Sequence, residues 1–310
     1  MMTTSIGSTL ALWEDVVMSM FCRNRLTRII SALAWLLLSG CSAVKVAYNN
    51  APTLTYWWMD TEFNFNDSQV PVLKEKLSAF HQWHRQQELP QYLDTLRQLQ
   101  TLLSGQVAPA QLCDIYAQGF NFAQRMGDEA AKPMSGLVVT LTPKQLAHFS
   151  KQRDKSLQKW REEWLEVSVQ ERQNKRLKQV VERAEMLYGR LDDAQTALLR
   201  QRIQNSVFDP KRTEAERVRR NQDIMAVLRE HASGNSTERL THVQAELIAL
   251  TRRTLRSPDA SYRAYVEDLT RESCDSLSEL HNLSSPAQRR KALKTLQDYD
   301  TDLRPLMLPN

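Results

Sequence analysis

The sequence predicts an all-α protein: an elongated antiparallel helical array or bundle that follows a cleaved leader peptide. Three observations predict it. After residue 66, apolar residues recur every three or four positions almost to the end of the chain, which fits the 3.6-residue helical period better than strand alternation. Only 8 of the 310 residues are glycine and 11 are proline, too few for a turn-dense sandwich or barrel. A single helix-start signature, a cap oxygen followed three residues later by glutamine, recurs along the chain.

The leader comes first. Arg23, Arg25 and Arg28 form a basic flank, and Ile29 to Leu38 is an apolar run of ten residues. As a helix this run is about 15 Å long, and a membrane span needs about twenty residues, so it reads as the hydrophobic region of an export signal. It ends in Leu38-Ser39-Gly40-Cys41, which resembles the lipobox of bacterial lipoprotein signals. That resemblance implies removal of residues 1–40 and acylation of Cys41, which would make membrane lipid a partner of the mature chain. Single acyl chains bind marginally and two or three bind durably. Ser42 rather than aspartate after the cysteine implies, by the sorting rule for such lipoproteins, an outer-membrane lipoprotein facing the periplasm. Residues 1–17 contain Glu14 and Asp15 and no basic cluster; translation from Met18 or Met20 explains them, and a longer basic region is the alternative.

Residues 41–62 read as a lipid-anchored tether. Asn49-Asn50-Ala51-Pro52 breaks regular structure, and Tyr56-Trp57-Trp58-Met59 follows, either at lipid headgroups or packed on the helical body. Residues 63–310 then form the helical domain, with a sub-boundary near 209–213. Val70, Leu73, Leu77, Phe80 and His84 make the first stripe, continued by Leu89, Leu93, Leu96 and Leu99, with Pro90 expected to kink or split the helix. Leu112 to Met126, Leu146 to Trp164, Leu177 to Leu187, Leu240 to Thr254, Tyr262 to Leu280 and Leu293 to Leu303 supply the rest, with Leu277 among the apolar positions.

Helix starts are set by Thr142-Pro143-Lys144-Gln145, Asn66-Asp67-Ser68-Gln69, Asp192-Asp193-Ala194-Gln195 and Ser285-Pro286-Ala287-Gln288, with Ser168 and Glu171 as a variant. Val107-Ala108-Pro109-Ala110-Gln111 keeps the proline and loses the cap oxygen. The unequal spacings argue against a strict solenoid. Joints between helices are expected at Gly127 to Gly136, Asp209-Pro210, Ser233-Gly234-Asn235 and Ser257-Pro258.

Charge and motifs exclude more than they assign. The net charge is +5, about +4 after loss of the leader, without a long block of one sign. That reads as solvated helix surface and, with export, excludes nucleic acid as partner. No Gly-x-Ser-x-Gly, phosphate-binding glycine loop or Cys-x-x-Cys occurs, so no catalytic residue, cofactor or metal is assigned and the protein is read as a non-enzyme. His81 and His84, three apart, would need a third ligand from a distant helix to hold a metal; His148, His231, His242 and His281 are scattered without ligand spacing. With Cys22 lost and Cys41 acylated, Cys113 and Cys274 remain, either joined as a disulfide or as two separate buried thiols.

Leu38-Ser39-Gly40-Cys41, Tyr48-Asn49-Asn50, Trp83-His84-Arg85 with Glu88-Leu89-Pro90, and Leu141-Thr142-Pro143-Lys144-Gln145 together resemble a family of Gram-negative bacterial lipoproteins grouped as domain of unknown function 6279. The resemblance covers residues 41–305 and implies the class without any catalytic residue. Leu141-Thr142-x-x-Gln145 also resembles the hallmark motif of Spy-type periplasmic chaperones, which are helical cradles. The expectation is therefore a lipid-anchored, periplasm-facing lipoprotein that binds envelope proteins or supports the envelope. The alternative is a Spy-like chaperone or holdase with an exposed apolar face that uses Trp160 and Trp164.

Overall fold

The computed structural model describes residues 43–232 and 237–308. The leader, Cys41 and the Ser233-Gly234-Asn235 joint lie outside them. Two units are distinguished, Met1–Ala51 and Pro52–Asn310. In the first, helix α1 (Ala43–Asn49) ends where Asn50 donates both its backbone N–H and its Nδ2 to the Val46 carbonyl, at 3.2 and 2.8 Å.

The remaining helices are α2 (Ala51–Phe63), α3 (Gln69–Trp83), α4 (Leu89–Leu102), α5 (Pro109–Val138), α6 (Pro143–Trp164), α7 (Val169–Tyr188), α8 (Asp193–Gln204), α9 (Pro210–His231), α10 (Thr237–Leu255), α11 (Ala260–Leu283) and α12 (Pro286–Leu303). Among the described residues every regular element is helical. The protein is all-α, as its periodicity predicts.

Helix starts follow the cap chemistry. The Thr142 Oγ1 accepts from the Gln145 backbone N–H at 3.3 Å, and Gln145 Oε1 accepts from the Thr142 N–H at 3.0 Å. Asp192 with Gln195, Ser285 with Gln288, Ser168 with Glu171 and Asn66 with Gln69 make the same reciprocal pair. Each satisfies donors that the first helical turn would otherwise leave orphaned. Ala108 retains half of the box, donating its N–H to Gln111 Oε1 at 2.9 Å. At the other end of α7, Gly189 adopts φ +75°, a conformation that favours glycine, and its N–H caps the Glu185 carbonyl.

Two expectations are corrected. Gly127 to Gly136 is no joint: α5 runs through both glycines and Pro133 for 30 residues, about 45 Å of continuous helix. A Cβ at Gly127 would come 2.1 Å from Thr251 Cγ2, so this glycine lets α10 approach α5 closely instead of breaking the helix. Leu277 is exposed, although its spacing placed it on the α11 stripe.

Helix α5 packs against α10, α11, α3 and α4. Around its C-terminal part lies one core, built from Met59, Phe65, Leu73, Leu77, Leu137, Leu141, Phe149, Leu228 and Val243 among others. Around its N-terminal part, Leu103, Val107, Leu112, Cys274 and Leu296 cluster. Leu177, Tyr188, Leu199, Ile203, Leu280 and Ala292 form a third cluster where α7 and α8 pack with α11 and α12. Asp209-Pro210 begins α9, with Asp209 as its cap. The Ser257-Pro258 joint is pinned to α9 by a 3.0 Å bond from Ser257 Oγ to the buried Glu216 carboxylate. Burial alone would raise the Glu216 pKa, but hydrogen bonds and charge from Arg219 and Arg220 outweigh it and hold the carboxyl low.

Candidate functional site

The clearest concentration of buried charge lies where α3 meets α4. Pro90 has no N–H to donate and its ring cannot follow an undisturbed helix. The chain answers with a π-helical turn, His84–Glu88, in which the Leu89 N–H reaches five residues back to the His84 carbonyl. Such turns often mark functional positions. This one buries Arg85 and Glu88, the latter only 1% exposed.

Glu88 is held by Arg125 of α5 in a two-point pair, Nε to Oε1 at 2.8 Å and Nη2 to Oε2 at 3.0 Å. The hydrogen bonding that Arg125 donates to Glu88 is the main reason its guanidinium is held even more firmly charged than usual. Arg85 Nη1 donates to the Leu308 carbonyl at 3.1 Å, so the C-terminal segment, including the 3₁₀ turn Arg304–Met307, folds back over this turn. His84 lies edge-on to Tyr92 at 5.3 Å, and Tyr92 packs on Phe122. Burial is the main cause that pushes the His84 pKa down to about 4, with Glu88 opposing and His81 adding to the fall. At neutral pH, His84 is an uncharged imidazole near the buried Glu88 carboxylate and its half-exposed partner Arg125.

The glutamines of the cap boxes do a second job. Gln69 and Gln145 are both buried, and their side-chain amides pair reciprocally: Gln145 Nε2 donates to Gln69 Oε1 at 2.7 Å, and Gln69 Nε2 to Gln145 Oε1 at 3.3 Å. Each also reaches the loop ahead of the other helix, at Thr140 O (3.0 Å) and Asn64 O (3.2 Å). The same arrangement joins Gln195 and Gln288, at 2.9 and 2.8 Å, with Gln288 Nε2 also donating to Arg190 O. Four helix starts are thereby tied in two pairs, α3 with α6 and α8 with α12.

Cys113 and Cys274 are joined by a disulfide that links α5 to α11, with a Cα–Cα distance of 5.6 Å. Further along the same α11 face, Ser278 Oγ and Asn282 Nδ2 donate to the Val107 carbonyl, and Asn282 Oδ1 accepts the Val107 N–H. His281 Nε2 lies 2.8 Å from the Gly105 carbonyl, which can only accept. That nitrogen therefore carries the proton, and Nδ1 accepts from the Tyr188 hydroxyl at 3.1 Å. Burial lowers the His281 pKa and pushes Tyr188 up to about 12.

Other expected site residues fall elsewhere. Trp160 and Trp164 do not form an exposed face: both are buried, stacked at 5.2 Å, with the Arg217 guanidinium over Trp160 and Lys175 over Trp164. The long cationic side chains cover the rings. Within the aromatic run, Met59 is buried while Trp57 and Trp58 remain 54% and 50% exposed. His148 bonds the Thr61 carbonyl at 3.0 Å. His81 and His84 gather no third ligand from a distant helix among the described residues, whereas His231 and His242, on consecutive helices, meet with Glu230. The pairing of helix starts and the Arg125 partner of Glu88 escape a sequence reading because each joins side chains distant along the chain, and the His231–His242 contact escapes it because it depends on how two consecutive helices turn back on each other. For Glu88 one signal was present: an acidic residue two positions before a proline inside an apolar helical stripe.

The family of unknown function DUF6279 matches over residues 62–252. This chain belongs to that family. The matched stretch is shorter than the 41–305 over which the motifs resemble it. It contains the π turn, Arg125 and the Gln69–Gln145 pair, as well as Cys113 and Gln195, and stops before Cys274 and Gln288. No curated protein and no solved structure matches the chain.

Proposed function

We propose that this family member is a lipid-anchored envelope lipoprotein, non-enzymatic, facing the periplasm from the outer membrane, that binds other envelope proteins or supports the envelope. The observation that carries the reading is the register of Arg23, Arg25 and Arg28, the ten-residue apolar run and Leu38-Ser39-Gly40-Cys41. Two structural features support it. A Cys113–Cys274 bond suits an oxidising compartment. Trp57 and Trp58, sixteen and seventeen residues after Cys41, present half-exposed indoles of the kind that settle at lipid headgroups. None of the described helices is long and apolar enough to cross a membrane, so on this reading attachment rests on the acyl chains with the indoles beside them.

Replacing Cys41 with serine tests it. The expected result is a chain that leaves the membrane fraction and keeps its unprocessed mass. A variant that still sediments with membranes at the normal mature mass overturns the proposal.

A second reading, a Spy-like chaperone or holdase, is favoured by the paired cap glutamines, which tie helix starts together as a cradle needs. It must use an apolar surface other than Trp160 and Trp164, and Trp57 and Trp58 are the candidates. Suppressed aggregation of a model client at equimolar protein, lost in Trp57→Ala/Trp58→Ala, supports it; unchanged aggregation rejects it.

A further inference from the structure

We infer that Glu230, His231 and His242 form a binding site for one divalent transition-metal ion of the zinc class. Glu230 and His231 are the last two residues of α9, and His242 lies in the second turn of α10. A carboxylate oxygen and one nitrogen from each ring all lie within 4.8 Å of one another. The two imidazoles meet edge to face, with ring centroids 5.2 Å apart.

The second observation concerns His231 alone. It is 3% exposed, held where Leu228 and Val243 join the surrounding core, and its Nε2 has no hydrogen-bond partner. A buried ring nitrogen without a partner is costly, and native structures rarely leave one so. A metal ion can take the lone pair of a ring nitrogen, and ligand atoms of Glu230 and His242 lie within 4.8 Å of the His231 ring's own.

The three arms differ usefully in mobility. His231 is fixed by burial, whereas Glu230 and His242 are exposed and free to change rotamer. Ligand atoms about 2.0–2.1 Å from zinc in a tetrahedron are about 3.3 Å apart, so closure requires only modest side-chain movement from the spacing present. The helix end also helps: the last carbonyls of α9 carry partial negative charge that favours a cation. Against it stands Arg239, whose guanidinium donates to the Glu230 carbonyl at 3.2 Å; the Glu230 carboxylate offsets that charge.

The donor set selects the class of ion. Two neutral imidazoles and one carboxylate suit zinc, with copper(II) binding more tightly at the same ligands and calcium or magnesium preferring all-oxygen sites. Three protein ligands leave a fourth position to water. The bound ion would tie the end of α9 to the start of α10.

Calorimetric titration of the chelator-stripped full chain with zinc chloride tests this. The wild type is expected to bind one ion per chain, His242→Ala to weaken binding at least about tenfold, and Glu230→Gln to weaken it by a smaller factor. Both replaced residues are exposed, so the fold is retained without touching His231. The His81→Ala/His84→Ala double variant is expected to bind as the wild type does. Absence of binding at about 100 µM zinc, a His242→Ala titration matching the wild type, or loss of binding in the His81/His84 variant overturns the assignment.

Discussion

Around Gln69 and Gln145, two buried amides close on each other and on both preceding loops, with no covalent bond among the elements they join. Around Gln195 and Gln288 the same two-amide pairing is present, but Gln288 is only partly buried, and the neighbouring α11 is fastened to α5 through Cys113–Cys274. The two regions begin from one local device, a helix cap whose glutamine has a spare N–H, and reach stability differently. The first relies on complete satisfaction of buried polar groups, where each missing partner is expensive. The second adds a cross-link that restricts the unfolded chain and a row of α11 side chains, Ser278, His281 and Asn282, that hold the loop ahead of α5.

The largest effect should come from cutting the cross-link. The bridged residues are 161 apart in sequence, and loop-closure entropy for that length sets an upper figure of about 5 kcal/mol. Cys113→Ser/Cys274→Ser should lower stability by several kcal/mol. Hydrogen exchange should rise first at the loop between α4 and α5 and along α11, with the amides near Gln69 and Gln145 protected longer. Equal loss of protection in both regions would break the contrast.

Acid should act next. His84 titrates near 4 in the folded protein against an ordinary 6.5. Above pH 6.5 the ring is neutral in both states. Below it the unfolded chain takes up a proton that the folded chain refuses, so stability drains between about pH 6.5 and 4, by at most about 3 kcal/mol for this partly exposed ring. Burial lowers His281 in the same direction. Urea titrations at pH 7 and 4.5 should show the fall, and His84→Gln should flatten part of it; a variant as acid-sensitive as the parent would assign the effect elsewhere.

The smallest effect sharpens the comparison most. Gln145→Ala leaves Gln69, the Thr142 N–H and the Asn64 carbonyl each short of a partner in a buried setting. A cost of about 2–3 kcal/mol is expected, against about 1 kcal/mol for Gln288→Ala, whose surroundings admit water. Equal costs would show that burial does not separate the two pairs.

Much of this architecture is legible in the sequence. Thr142, Asp192, Ser285 and Ser168 cap where their spacing to Gln or Glu says they should, because a cap is satisfied within three residues of itself. Pro90 disrupts its helix as expected, although the form of the disruption, a π turn that buries Glu88, depends on Arg125 waiting on α5. Gly127 misleads for the opposite reason: its helix-breaking tendency is local, and close packing against Thr251 of α10 overrides it, while α5 continues through Pro133 and Gly136. Trp160 and Trp164 look like a free apolar pair until Arg217 and Lys175 are placed over them.

The sequence by itself determined what is settled within one helical turn: that the chain is helical, where most helices begin, and which faces are apolar. Tertiary structure decided which helix starts share their glutamines, which cation neutralises Glu88, and that His231 comes to rest against His242. Such contacts depend on how separate helices are arranged in space, and a periodic pattern that tells each helix which face to bury does not tell it against which neighbour.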